Sequence, residues 1–321
     1  MTGNADIAAV VIGRNEGARL IACLDSLAGR VARVIYVDSG STDGSRDAAA
    51  ARGAEVVALD MARPFTAARA RNAGIARLTG TGTPPALVQF LDGDCSLQPG
   101  WLETASAFLD ANPAVAVACG RRRERHPEAS VYNRLIDAEW DTPVGRARSC
   151  GGDALMRAAA LQEVGGFDPG LIAGEEPELC VRLRAKGWEV WRLDAEMTLH
   201  DAALTRFGQW WQRTRRGGHA FAEGAALHGA PPERHCVPEL RRLILWGVAL
   251  PLATVLGAVI TPWALLLLLA WPAQMLRLRL RGLPWDRAVF LTLSKLPEAQ
   301  GALTYLASRI MRTRAGLIEY K

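Results

Sequence analysis

An α/β domain on a mostly parallel sheet, followed by a C-terminal membrane-associated helical region, is what the sequence predicts, and three observations predict it. Short β-rich runs alternate with helical patterns over the first 200 residues. Polar clusters recur just after the strands. No charged residue occurs between positions 243 and 276. Alternation of this kind builds βαβ units, whose parallel strands are covered on both faces and whose ligands gather at the carboxyl ends of the strands.

Residues 7–12, 33–37, 55–59, 86–91, 114–118 and 188–193 read as strands. Residues 16–27, 45–52, 66–78, 99–109 and 177–186 read as helices. The polar clusters at the strand ends are Gly13-Arg14-Asn15-Glu16, Asp38-Ser39-Gly40-Ser41-Thr42-Asp43 and Asp92-Gly93-Asp94.

The uncharged stretch is divided by Pro262 into 243–261 and 262–276. As α-helices these reach about 28 and 22 Å, against a hydrocarbon core of ~30 Å. Arg241 and Arg242 flank one end, and Arg277, Arg279 and Arg281 the other. The positive-inside rule then puts both ends on the cytoplasmic side, as a tight or re-entrant hairpin; a buried hairpin in a soluble core is the alternative. Residues 285–314 mix apolar and basic side chains, the pattern of an interfacial helix. The expected division is thus 1–225 as the α/β domain, 226–242 as a basic juxtamembrane linker, 243–276 as the apolar hairpin and 277–321 as an amphipathic basic segment.

The chain's net charge of +5 is unevenly placed: from Arg241 onward eleven Lys/Arg face three Asp/Glu, a net +8, which leaves residues 1–240 at −3. Positive charge confined to the apolar region suits anionic lipid, and nucleic acid is not an expected partner. Six scattered cysteines without a Cys-x-x-Cys pair fit a reducing compartment. The N-terminus lacks the basic and long apolar regions of a signal peptide. The expected location is the cytoplasmic face of the inner (plasma) membrane.

Asp92 and Asp94 sit at i and i+2 on a turn after an apolar strand. They can face one hard divalent cation that also bridges a diphosphate, or they form an ordinary Asp-Gly turn. Asp38 opens a loop rich in amides and hydroxyls before a helix, which suits a nucleotide as well as it suits a helix cap. Arg71, on a helix, can reach a nucleobase or phosphate. Glu175 and Glu176 open a helix whose dipole favours acids there in any case.

Taken in order, Val-Val-Ile-Gly-Arg-Asn-Glu-Gly, Tyr-Val-Asp-Ser-Gly-Ser-Thr-Asp-Gly-Ser, Ala-Arg-Asn-Ala-Gly and Phe-Leu-Asp-Gly-Asp resemble the motifs of family 2 glycosyltransferases. So do Gly151-Gly152-Asp153-Ala154-Leu155, Val164-Gly165-Gly166-Phe167-Asp168 and Gly174-Glu175-Glu176-Pro177-Glu178 further on. The resemblance spans about residues 5–220. It implies a GT-A fold, a nucleotide-diphosphate sugar donor, Mg²⁺ or Mn²⁺, and inversion at the anomeric carbon. By matching position, Glu16, Asp38, Arg71, Asp92, Gly151 and Gly152 would bind the nucleotide sugar, with Asp92 near the ribose, and Asp94 would be the principal metal ligand. Glu176 stands where the family more often has the aspartate that serves as catalytic base, with Glu175 beside it.

His200 would complete the metal site, or contact the diphosphate or line the pocket. Gln212-Arg213-Thr214-Arg215-Arg216 resembles the Gln-x-x-Arg-Trp signature of processive synthases, except that Arg216 replaces the tryptophan. Arg213 and Arg215 would hold the diphosphate, or face anionic lipid. The run Arg121-Arg122-Arg123-Glu124-Arg125 reads as a solvated loop or an acceptor contact.

The leading expectation is a non-processive transferase that adds one sugar to a lipid-linked saccharide in envelope or exopolysaccharide assembly. Transfer to polyprenyl phosphate, and a catalytically silent nucleotide-sugar-binding scaffold, are the alternatives.

Overall fold

The computed structural model describes residues 7–81 and 84–312, and these form two compact units: residues up to 129 with 136–203, and 130–135 with 204–312. In the first unit nine strands make one sheet. They are β1 (Ile7–Gly13), β2 (Arg33–Asp38), β3 (Glu55–Ala58), β4 (Leu87–Asp92), β5 (Cys95–Leu97), β6 (Val115–Glu124), β7 (Gly145–Ala147), β8 (Ala154–Arg157) and β9 (Glu189–His200). Their order is β3-β2-β1-β4-β8-β6-β9-β5, with β7 paired to β9. Strands β3 to β4 run parallel, as the βαβ pattern predicts, and β6 is parallel to β9. The short strands β5, β7 and β8 are antiparallel to their neighbours, which makes the sheet mixed.

The helices of this unit are α1 (Ala18–Leu27), α2 (Ser45–Ala51), α3 (Ala67–Thr79), α4 (Trp101–Ala111), α5 (Val131–Glu139, which crosses the boundary of the units), α6 (Ala158–Glu163) and α7 (Glu175–Ala185). Strand β1 is buried along 7–12 because both faces are covered, and this is why it reads as a continuous apolar run. In α1 the buried residues Leu20, Cys23, Leu24 and Leu27 recur at helical spacing. Helix α3 is capped by Thr66, whose side chain accepts from the Arg69 amide. It lies so close to β1 that a Cβ on Gly74 would overlap the Val10 side chain.

Two sets of contacts tie the strand-end loops together. The Asn15 carboxamide accepts from the Thr42 amide at 2.7 Å, and Ser41 Oγ accepts from the Asn15 amide at 2.9 Å, joining the loops after β1 and β2. Asn72 exchanges two hydrogen bonds with the Phe167 backbone, at 2.7 and 2.9 Å.

In the second unit α8 (Phe207–His228) crosses the helix Lys295–Ile310 at glycines. A Cβ on Gly218 would strike the Glu298 backbone, and one on Gly301 the Arg215 carbonyl. The division expected at 225 falls at 203/204, since α8 packs its glycine face on the C-terminal helices. Two helices there are long and apolar enough to cross a membrane, Val237–Ile260 and Pro262–Leu280. Both outrun the uncharged stretch, at about 36 and 28 Å on α-helical rise, so each is longer than its uncharged portion suggested. Almost none of the second is buried, and Val259, Ile260 and Trp263 around the turn are 84, 86 and 75 % exposed.

Candidate active site

The site forms at the carboxyl ends of β1, β2 and β4, where the antiparallel strands join. Arg71 stands one turn before Gly74, so the tight packing of α3 on β1 buries its guanidinium at these strand ends. Nη1 lies 2.8 Å from both Glu175 Oε1 and Glu176 Oε1, and Nη2 donates to Asp92 Oδ1 at 2.9 Å. The sequence pattern suggested a nucleobase or phosphate contact for Arg71; in the structure its guanidinium is engaged by three carboxylates.

Glu175 and Glu176 lie in the first turn of α7, after Gly174 in a left-handed conformation (φ 80°), so that helix starts two residues before the predicted 177. Burial pushes Glu176 up to about 7, with the neighbouring Glu175 and Asp92 charges adding to the rise and Arg71 opposing it. Arg71 is held protonated: burial works against its charge, but Glu176, Asp92 and Glu175 outweigh it. Gly152 closes over this cluster, for a Cβ there would sit 2.9 Å from Arg71 Nη2 and Asp92 Oδ2 and 3.2 Å from Glu176 Oε1. Gly151 faces Arg122, 3.9 Å from its Nη1 by the same measure.

Arg122 is the second cation of the site, partly buried. Nη2 donates to Asp92 Oδ2 at 3.1 Å, Nε lies 3.4 Å from Asp153 Oδ2, and the guanidinium stacks over Trp140 at 4.6 Å. Asp153, fully buried, accepts from the Asp92 amide at 3.1 Å and from Thr198 Oγ1 at 2.7 Å. The loop reading of residues 121–125 is corrected here: residues 121–124 belong to β6, where they run beside β9, and Arg125 directly follows the strand. Ladder irregularities between Cys119 and Arg122 re-aim the strand, as bulges do beside active sites.

Asp94 and His200 come together through β5 and β9, where Cys95 pairs with His200 in register. His200 Nε2 is 3.3 Å from Asp94 Oδ2, and Nδ1 is 3.4 Å from Glu124 Oε2. Burial and the Arg122 charge lower the His200 pKa, favouring the neutral imidazole. Glu124 is held below its ordinary pKa although burial opposes this, because His200 and the amides of His126 and Ala202 face it. Asp94 also borders a cavity of about 180 Å³ lined by Arg19, Arg125, Ser96 and Asp201.

One ligand atom each of Asp94, Cys95 and His200 lies within 4.8 Å of the others. Burial pushes the Cys95 thiol well up, so it stays protonated and the hard oxygen–imidazole pair is the better donor set. Asp94 and His200 are both buried, and their oxygen and imidazole donors fit a divalent cation.

The nucleoside candidates lie on the first two strand ends. Asp38 Oδ2 accepts from the Gly40 and Ser41 amides at 3.1 and 3.0 Å, and Oδ1 from Tyr36 OH at 3.1 Å. Glu16 pairs with Arg19 at 2.8 Å, and its Cγ would be 3.2 Å from a Cβ on Gly93. Arg213 and Arg215 are on α8 in the second unit, where Arg215 contacts Gln212 and Thr304 at 3.4 Å. Trp140 was not singled out in the sequence; Arg122 and Glu124 were read only as part of the basic run, and Asp153 only within its Gly-Gly-Asp motif. An acid interrupting a basic run was the one visible sign of Glu124.

The mixed sheet, the Asp-Gly-Asp turn at a strand end and the acidic helix start facing it define a GT-A glycosyltransferase domain. Residues 9–158 match the family model Glycosyl transferase family 2, and this part of the chain belongs to that family. The chain is similar to the pre-mycofactocin glycosyltransferase of Mycobacterium tuberculosis, 28 % identical over 235 residues. These are 70 % of this chain and 48 % of that protein, so the chain spans about half its relative's length. It is 26 % identical over 249 residues to the succinoglycan biosynthesis protein ExoA of Rhizobium meliloti, 73 % of each chain. Among solved structures, the mannosyltransferase PcManGT from Pyrobaculum calidifontis, in complex with GDP-Man and Mn²⁺, shares the fold at TM-score 0.66 and 18 % identity. That match covers 94 % of this chain and 89 % of the other. Glucosyl-3-phosphoglycerate synthase from Mycobacterium tuberculosis with Mn²⁺ and UDP matches at TM-score 0.51 and 20 % identity over 71 % of this chain and 81 % of that one.

Proposed function

We propose that this chain is an inverting, metal-dependent glycosyltransferase that moves one sugar from a nucleotide diphosphate to a lipid-linked saccharide at the cytoplasmic face of the inner membrane, in envelope or exopolysaccharide assembly. The observation that carries the chemistry is Glu176: a largely enclosed carboxyl pushed up to about 7, 2.8 Å from Arg71. A general base is most effective when its pKa lies near the working pH. The relative named for succinoglycan biosynthesis and the solved structure that holds GDP-Man support the class of substrate.

Glu176 takes the proton of the acceptor hydroxyl as it attacks the sugar C1 in a single displacement. Arg71 keeps Glu176 and Glu175 oriented and compensates the charge left when the base is empty. Asp92 is held by Arg71 and Arg122 through one oxygen each, and in this reading it meets the ribose. Asp38, at the end of β2, and Glu16, after β1, accept from the nucleoside. Gly151 and Gly152 leave room for the donor over Asp92. Asp94 and His200 would hold Mg²⁺ or Mn²⁺, which when bound would supply positive charge against that growing on the departing diphosphate. Arg213 and Arg215 are diphosphate contacts on their sequence pattern alone. The apolar helices Val237–Ile260 and Pro262–Leu280 support membrane attachment, and with it a lipid-borne acceptor.

The test uses the purified full chain in detergent with UDP-, GDP- and dTDP-sugars, Mn²⁺, Mg²⁺ or EDTA, and a lipid extract. Release of a nucleoside diphosphate from one donor, dependent on metal, raised by lipid and lost in Asp94→Asn, is the expected result. Donor binding with no turnover under any lipid condition would refute the enzymatic reading. Turnover that survives Glu176→Gln would point to an acceptor already ionised, such as a polyprenyl phosphate.

A further inference from the structure

Strand register sets Glu124, His200 and Cys95 side by side. In the parallel β6–β9 ladder Glu124 is the partner of His200, and in the antiparallel β5–β9 ladder Cys95 is its partner from the other side. The imidazole therefore lies between two acids. Its Nδ1 faces Glu124 Oε2 at 3.4 Å and its Nε2 faces Asp94 Oδ2 at 3.3 Å.

The two acids are held differently. Glu124 is 3 % exposed, and its carboxylate accepts from two backbone amides, His126 to Oε1 and Ala202 to Oε2, both at 3.1 Å. It is fixed by main chain in a place where it can only accept. Asp94 instead borders the cavity beside α1. A neutral imidazole has one N–H. If it points to Glu124, the Nε2 lone pair and Asp94 Oδ2 become two acceptors facing one another, and a shared cation satisfies both. Trp140 packs edge-on against the ring at 4.7 Å and limits its rotation.

We propose that Glu124 is a positioning residue of the metal centre: it accepts the Nδ1–H of His200, fixing the tautomer whose Nε2 is presented, with Asp94, to a divalent cation. This rests on the proposed metal dependence and adds to it the residue that orients the nitrogen ligand. Outer carboxylates that receive the second N–H of a ligating histidine typically contribute about 10–100-fold in metal affinity. The charge-conserving Glu124→Asp shortens the reach to His200. Glu124→Gln keeps an acceptor oxygen but removes the charge.

The test has two readouts apart from turnover. In metal-free protein labelled with ¹⁵N-histidine, with His200→Gln identifying the signal, the imidazole shifts report the tautomer directly. With Mn²⁺ alone, the free-ion EPR signal gives affinity, and pulsed EPR gives the coupling of bound Mn²⁺ to an imidazole ¹⁴N. The wild type is expected to carry the proton on Nδ1 and to show one imidazole coupling. Glu124→Gln is expected to bind Mn²⁺ about 10–100-fold more weakly, and Glu124→Asp to fall between the two, each with an unchanged far-UV spectrum. A proton on Nε2 in the wild type overturns the proposal. So does an imidazole coupling and Mn²⁺ affinity unaltered in Glu124→Gln, and in that case the metal reading itself stands. Bound Mn²⁺ with no imidazole coupling in the wild type removes His200 from the metal site and the proposal with it.

Discussion

Replacing Glu176 by Gln isolates the carboxyl on which the proposed chemistry turns. The substitution keeps the size of the side chain and an oxygen for Arg71 Nη1, 2.8 Å away, but cannot take a proton. Loss of a general base costs about 10²–10⁴ in rate. The same carboxyl sets the pH profile. With a pKa of about 7 it is about one tenth ionised at pH 6, so wild-type kcat/KM should rise roughly tenfold from pH 6 to a plateau above 8. Stability should run the other way. The carboxyl binds its proton more tightly in the folded protein than at its ordinary 4.5. Its favourable contribution is therefore full below 4.5 and is lost as pH rises through about 7. Carrying the group from 4.5 to about 7 corresponds to about 3 kcal/mol, as an upper figure. Glu176→Gln should therefore be stabilised relative to wild type at pH 8 and not at pH 5, while losing activity at both. Initial rates of nucleoside diphosphate release between pH 5.5 and 9, with the donor the wild type turns over, and melting curves at the two pH values check this. A flat wild-type profile together with an equal melting difference at pH 5 and 8 would refute the raised pKa and the role built on it.

Three further substitutions probe the surroundings. Gly152→Ala introduces a methyl 2.9 Å from Arg71 Nη2 and Asp92 Oδ2; overpacking of about 1–3 kcal/mol and a larger KM for donor are expected in melting and kinetic assays. Arg122→Ala strips the compensating cation from fully buried Asp153 and from Asp92, and denaturant titration should show a loss of about 3–5 kcal/mol. Gly301→Ala drives a Cβ into the Arg215 carbonyl, which has no side-chain freedom with which to yield, so the melting temperature should fall.

The parallel strands were legible because burial on both faces leaves unbroken apolar runs such as 7–12, and Asp92 and Asp94 because they stand directly after one. Strands β5, β7 and β8 span only three or four residues each, too few for a period to show. The partners of Arg71 were hidden for another reason. Glu175 stands 104 residues along the chain, and nothing local to Arg71 indicates that three carboxylates await it. Glu124 depends on ladder register through an irregular stretch of β6, which spacing within one strand does not encode. Helix α8 carries its own amphipathic signal but no sign of which unit its glycine face joins.

Helix α3 spends three neighbouring residues on three separate attachments: Arg71 to the acids, Asn72 to the Phe167 backbone, Gly74 against Val10. Successive residues on a helix are turned by about 100° and advanced by about 1.5 Å. The attachments therefore point in different directions around the axis, and together they fix both its rotation and its axial position. A single residue inserted between Asn72 and Gly74 would leave the helix intact yet turn Gly74 about 100° out of phase with Arg71 and Asn72. The aim of the guanidinium is thus a matter of helical phase, set by an uncharged amide and a missing methyl that take no part in the chemistry.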